Sequence, residues 1–168
     1  MDSYWNKRIL GIDPGYAIVG FGLIQAGFGR YQHLRHGAIT TPADLKAHER
    51  LVMIYEDMCA LLDAMKPDEV SMEKLFFNTN TTTAMGVSQA RGVILLSIAQ
   101  RKIPIYEYSP SQIKQAIVGY GKAEKLQMMD MTRRLLNLPA MPKPDDAADG
   151  LAAALCHATM RTSQLYRE

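Results

Sequence analysis

Cysteine is scarce in this chain: Cys59 and Cys156 are the only two in 168 residues. Their spacing matches neither a disulfide framework nor a metal-binding motif, so both are expected as reduced, core-facing thiols of a cytoplasmic protein. No apolar run approaches the roughly 20 residues needed to span a membrane. The opening "MDSYWNKR" is polar and carries no apolar leader segment, so no secretory signal is expected there. A dominant sign of charge is also missing, with 19 Lys and Arg against 17 Asp and Glu. That balance excludes a uniformly basic nucleic-acid coat, but not a basic rim around an acidic site. Repeats, low-complexity tracts and linkers are absent. With this length, the expectation is one globular domain over residues 1–168.

What is present has a readable order. "RILGIDPG" is a buried strand stopped by Pro14 and Gly15. "AIVGFGLIQA" alternates as a second strand, with Val19, Phe21 and Leu23 on one face. "RYQHLRHGAITT" reads as a third strand whose polar face places it near an edge. Their close spacing predicts an antiparallel meander. The period then changes: Leu51, Tyr55, Met58, Leu62 and Met65 recur at helical spacing, up to Pro67. "DEVSMEK" is a strand with Val70 and Met72 inward, and "NTTTAMGVSQARGVILLSIAQRK" a long helix. "IPIYEYS" is a strand, after which Ser109 caps a helix opening at Pro110 and running to about Val118. "AEKLQMMDMTRRLLN" is a further helix, and the last spans about Asp145 to Met160. The pattern is α/β, a mixed sheet covered by helices.

Carboxylates stand at positions that propensity alone explains poorly. Asp13 ends the first strand and Glu73 the fourth, at the edge where open α/β sheets place ligands. Taken alone, Asp13 reads more readily as a turn aspartate before Pro-Gly, and Glu73 as a solvated strand-end charge. Asp145, Asp146 and Asp149 open an otherwise apolar helix. Capping and the helix dipole explain one or two of these. They explain Asp149 least, because apolar residues continue its face. Either Asp145 or Asp146 shares a face with Asp149. A carboxylate at a core edge needs a partner, and this helix holds no Lys or Arg before Arg161. A hard divalent cation is the natural partner, Mg²⁺ or Mn²⁺ rather than zinc. Four carboxylates can hold two such ions, the arrangement suited to phosphodiester cleavage.

The segments "GIDPG", "EKLFFNTNTTTAMGVSQARGV", "YSPSQIKQAIVGYGKAEKLQM" and "LPAMPKPDDAADGLAAALCH" resemble, in this order and spacing, the RuvC-type crossover (Holliday) junction endodeoxyribonucleases. The resemblance extends from about Arg8 to Met160. It implies an RNase H-like fold, a five-stranded mixed sheet of three antiparallel and further parallel strands flanked by helices. It implies a four-carboxylate site, matched by Asp13, Glu73, Asp146 and Asp149. The family register selects Asp146 over Asp145, which is left as a cap or a neighbour of the ligands. Lys114 and Lys125 match basic residues that contact DNA near the cut, and Lys122 is added to that DNA-binding set. Phe76 matches an aromatic that stacks on bases, with Phe77 beside it. The resemblance further implies two Mg²⁺ ions per site with Mn²⁺ as a substitute, paired nicks leaving 5′-phosphate and 3′-hydroxyl ends, and a role in recombination and DNA repair. A homodimer is implied through the long helix, where Gly86, Ala90 and Gly92 would permit close approach to a partner; the alternative is that the glycines pack on the sheet. So is a branch-migration motor of the RuvA and RuvB type as partner, with no membrane. Cys156 and His157 are expected in the core rather than on a metal.

Two other readings compete. "GIDPG" also suits the phosphate loop of an actin-like ATPase or sugar kinase, but 168 residues leave no room for a second lobe. A catalytically silent four-way-junction binding module would be poorly served by four clustered carboxylates, which repel DNA unless neutralised.

Overall fold

Apolar alternation in the first forty residues produces three strands, β1 (Lys7–Asp13), β2 (Ile18–Gly27) and β3 (Arg30–Thr40). They pair antiparallel in sequence order, as the close spacing predicts. The computed structural model describes residues 6–75 and 81–165. After the meander come α1 (Ala47–Met65), β4 (Glu69–Glu73), α2 (Thr81–Gln100) and β5 (Ile105–Tyr108). The chain continues as α3 (Pro110–Val118), α4 (Lys125–Leu135) and α5 (Asp145–Leu165). The strand order is β3-β2-β1-β4-β5, with β4 parallel to both β1 and β5. β3 therefore lies at an edge, as its polar face indicates. This is the mixed five-stranded sheet expected of an RNase H-like fold.

The sheet is buried on both faces. Leu10, Ile12, Val19, Phe21 and Leu23 face α1 and α2, meeting Ile54, Met58, Leu62, Ile94 and Ile98. Ile9 and Ile24 face the other layer, with Leu151 and Leu155 of α5, Ile113 of α3 and Met128 of α4. Burying Leu151 and Leu155 stabilises the fold by about 1.5–3 kcal/mol each.

Several local details differ from expectation. Ile54, not Tyr55, fills the second rung of the α1 stripe; the Tyr55 hydroxyl turns outward and donates to Gln100. Cys59 is only half-buried, while Cys156 is fully buried as expected. α5 continues past Met160 to Leu165; the Thr162 and Ser163 hydroxyls donate to the Ala158 and Thr159 carbonyls, satisfying polar side chains on the helix itself. Asp145 is not an N-cap but the first helical residue, since the Pro144 carbonyl already accepts from the Ala147 amide at 2.9 Å. Ser109 does cap α3, accepting from the Gln112 amide while Gln112 accepts from the Ser109 amide.

Of the small residues on α2 expected at a subunit interface, two turn inward. Ala90 is fully buried in the core, and a Cβ at Gly86 would touch the Tyr16 ring at 3.2 Å. Gly92 alone of the three faces open space.

The feature that positions the site is the absence of any gap between α5 and the sheet. A Cβ at Gly11 would lie 1.8 Å from the Gly150 carbonyl oxygen, and one at Gly20 1.9 Å from that of Asp146. Only glycine lets the helix backbone rest directly on β1 and β2. The Ser71 hydroxyl then ties β4 to the same helix, donating to the Ala153 carbonyl at 2.7 Å in the core.

Candidate active site

Strand period carries acidic residues to one face. On β4, Glu69 meets His157 of α5 and Ser71 meets Ala153, so Glu73 lies on the α5 side too. On β1, Gly11 lies under α5, and Asp13 continues its row. Ile12 pairs with Met72 across the parallel ladder, so Asp13 and Glu73 end adjacent strands at their C-terminal edge. Asp13 pairs on its other side with Gly20, the residue under the Asp146 backbone. Asp149 follows on the next turn of α5. Carboxylates from β1, β4 and α5 thus lie near enough at this sheet end for their charges to act on one another.

Their electrostatics show a cluster short of positive charge. Burial and then the charges of Asp149, Glu73 and Asp146 push the Asp13 carboxyl up to about 8. Glu73 is raised by burial and by Asp149, against an opposing pull from Lys114. Asp149 is raised by burial and by Asp146 and Asp145, against the pull of Lys125. Glu69, on the same face of β4, is the internal control. Burial would raise it, but the His157 hydrogen bond at 2.8 Å and the charges of Arg161 and His157 bring it below its ordinary value. The fold therefore compensates a carboxylate at one end of β4 and leaves Glu73 and Asp13 undercompensated at the other.

Cations approach the cluster from other helices. Lys125, at the start of α4, lies 3.2 Å from Asp145 and 3.9 Å from Asp149. α5 itself supplies Asp149 with no cation before Arg161, as its sequence indicates; the cation comes from another helix. Lys114 of α3 and Lys125 line one cleft with Glu73, Asp149 and Pro110. A second cleft, of about 290 Å³, joins Asp13 and Glu73 with Pro14 and Arg91. Lys122 is exposed on the turn between α3 and α4 and lines neither cleft. Phe76 and Phe77 lie outside the described residues. His157 is a core residue as expected, bridging Glu69 and the Tyr108 hydroxyl and stacked on Tyr106.

Among the described residues, no three acidic, His or Cys side chains converge as a ready-made metal cage. The donor chemistry fits a hard divalent cation: carboxylate oxygens only, partly buried, with Asp13, Glu73 and Asp149 raised by burial and by neighbouring carboxylates. Three participants escaped sequence reading. The Gly11 and Gly20 contacts were visible only as glycines inside a strand, a known mark of close backbone approach. Arg91, whose guanidinium reaches Glu73, stands out in no motif spacing.

Comparison with known proteins gives a consistent answer. A family model described as crossover junction endodeoxyribonuclease RuvC matches residues 9–157. A curated relative from Thermotoga petrophila with that name is 53% identical over 151 residues, covering 90% of this chain and 92% of its own. Another of that name, from Brevibacillus brevis, is 53% identical over 154 residues, covering 92% of this chain and 93% of its own. The solved structure of Thermus thermophilus RuvC in complex with Holliday junction substrate superposes with a TM-score of 0.87 at 33% identity, over 94% of this chain and 96% of that one. With the acidic cluster at the strand ends and these matches across nearly its whole length, the chain belongs to the RuvC family of crossover junction endodeoxyribonucleases.

Proposed function

We propose that this chain is a single-domain, metal-dependent nuclease that resolves Holliday junctions by paired nicks in opposing strands. The observation that carries this reading is the set of acidic groups at the sheet end, Asp13, Glu73 and Asp149 raised by burial and by neighbouring carboxylates, Asp146 among them, beside a lysine-lined cleft. These four carboxylates would hold two Mg²⁺ ions, or Mn²⁺ in their place. Bound there, the ions supply Lewis-acid activation of water and stabilise charge on the leaving oxygen.

The chain's own residues do the rest. Lys114 and Lys125 draw the phosphate backbone into the cleft and offset its repulsion from the carboxylates. Lys125 is poised for this role, because it is half-exposed and already balances Asp145 and Asp149. Lys122, exposed nearby, adds to the basic rim. Phe76 and Phe77 follow Glu73 closely in sequence and are proposed to stack on bases. α5 seated directly on glycine holds Asp146 and Asp149 against Asp13 without slack. The products are 5′-phosphate and 3′-hydroxyl ends that a ligase can seal, which fits a role in recombination and DNA repair.

A four-way junction has near two-fold symmetry, so a homodimer with two equal sites is the natural assembly. Its interface is assigned to the outer face of α2, where Met85 is 69% and Leu96 51% exposed. No helix among the described residues is long and apolar enough to cross a membrane. The reading places the protein in the cytoplasm, with a branch-migration motor of the RuvA and RuvB type as partner.

The test is a labelled synthetic four-way junction incubated with and without Mg²⁺. Paired symmetric nicks that require the ion are expected. Junction binding with no cutting at any Mg²⁺ concentration would instead identify a silent binding module, and ATP hydrolysis without cutting a kinase-like enzyme.

A further inference from the structure

Arg91 stands on α2, yet its guanidinium works at the end of β4. Its Nη1 donates to the main-chain carbonyl of Glu73 at 2.8 Å. Its Nη2 pairs with the Glu107 carboxylate on β5. Only 12% of the side chain is exposed. A guanidinium so covered is not a solvated surface charge; it is retained where both arms of the fork find acceptors. The site of attachment is specific. Glu73 is the last residue of β4, and beyond it the Lys74 amide makes the ladder bond to Tyr108 at 2.8 Å. Arg91 thus grips the peptide unit that ends the strand, and it borders the same cleft as Asp13 and Glu73.

The direction of a carboxylate depends on the peptide that carries it. Rotating the Glu73 peptide plane would swing its side chain relative to Asp13 and Asp149. The planar guanidinium, fixed at its other arm by Glu107, resists that rotation; an ammonium on a flexible stem would not. We infer that Arg91 is a positioning residue, orienting Glu73 for metal binding by clamping its carbonyl from α2. This rests on the reading of Glu73 as a metal ligand. It also links the helix assigned to the subunit interface with the acidic cluster, through one side chain.

The experiment compares wild type with R91K, with the double variant R91Q/E107Q, and with E73Q. The double variant leaves no carboxylate without its cation, and R91K keeps a buried charge while losing the fork. Four quantities are read: thermal midpoint, junction affinity without divalent ions, Mn²⁺ affinity of the metal-free protein by calorimetry, and single-turnover nicking across a Mg²⁺ series. Loss of a group that orients a ligand lowers metal affinity or activity by about 10–100-fold. R91Q/E107Q is therefore expected to bind Mn²⁺ about tenfold more weakly and to nick more slowly, with partial recovery at high Mg²⁺. Its junction affinity should stay within about twofold of wild type, because no DNA-contacting group is removed. R91K should lie between the two. Wild-type Mn²⁺ affinity in both Arg91 variants would overturn the inference. So would a parallel fall of thermal midpoint and junction affinity with unchanged metal dependence, the mark of a purely structural tie. E73Q separates the premises: if it binds Mn²⁺ and cuts like wild type, the assignment of Glu73 itself fails, whatever Arg91 does.

Discussion

Burial, and then its acidic neighbours, raise the proton affinity of Asp13, to about 8 from the ordinary 3.8. The sign of the consequence follows directly. With a folded pKa above the unfolded one, the protonated form favours the fold. That contribution is whole below about pH 4 and is lost as pH rises through about 8. D13N removes the titration, so it should raise the melting temperature of the metal-free protein most at pH 9 and little at pH 5. The gain at pH 9 should be about 4 °C or more, measured by differential scanning calorimetry. An equal shift at both pH values would show that Asp13 is not strained by charge. A metal must also displace that proton, so apparent Mn²⁺ affinity should rise by up to about tenfold per pH unit, levelling above pH 8. Isothermal titration in buffers of different ionisation enthalpy would count the proton released. At this scale much was legible. A strand-end Asp, a strand-end Glu and a helix opening on three carboxylates mark the cluster. The pairing of Lys125 with Asp145 and Asp149 was not legible, because it joins α4 to α5 across a contact that no local period encodes.

At the scale of elements, the decisive contact is α5 lying directly on β1 and β2. Helix and strand periods were readable, as was the Ser109 cap. The closeness of the helix was not, since Gly11 and Gly20 acquire meaning only once Gly150 and Asp146 are set over them. G20A tests it. The added methyl would meet the Asp146 backbone, which cannot yield as a flexible side chain would. Overpacking of this kind destabilises by about 1–3 kcal/mol. Denaturant unfolding should show that loss. Nicking by the folded fraction should fall by at least about tenfold, because Asp146 moves with its helix. Wild-type nicking in a stably folded G20A protein would mean that the seat of α5 does not set the site. The alternation of β4 holds a second lesson. Taking Val70 and Met72 as its inward set captured one face, whereas Glu69 and Ser71 are equally buried against α5.

For the molecule as a whole, the sheet order and its two helical layers follow from the order of elements along the chain. The assembly does not, because an interface is a property of two surfaces. Gly86 and Ala90 were expected to face a partner subunit, yet their space is filled by Tyr16 and the core. The outward apolar residues of α2 are Met85 and Leu96. The double variant M85E/L96E should shift the protein from dimer to monomer in sedimentation velocity. Each monomer should keep wild-type Mn²⁺ affinity while paired nicking of one junction is lost. A variant that remains dimeric would move the interface off this face.

Asp13, Glu73, Asp146 and Asp149 are proposed to act together as the metal-binding centre of a junction nuclease. Comparing D146N with D145N on one labelled four-way junction, reading cutting with Mg²⁺ and binding without it, decides the matter. Both variants should bind the junction like wild type. D146N should lose cutting by about a thousandfold or more, as expected when a metal-activated step is removed. D145N should cut within about tenfold of wild type, since Asp145 is exposed, pairs with Lys125 and is proposed to lie outside the ligand set. Near wild-type cutting by D146N, or loss of cutting by D145N alone, would contradict the account.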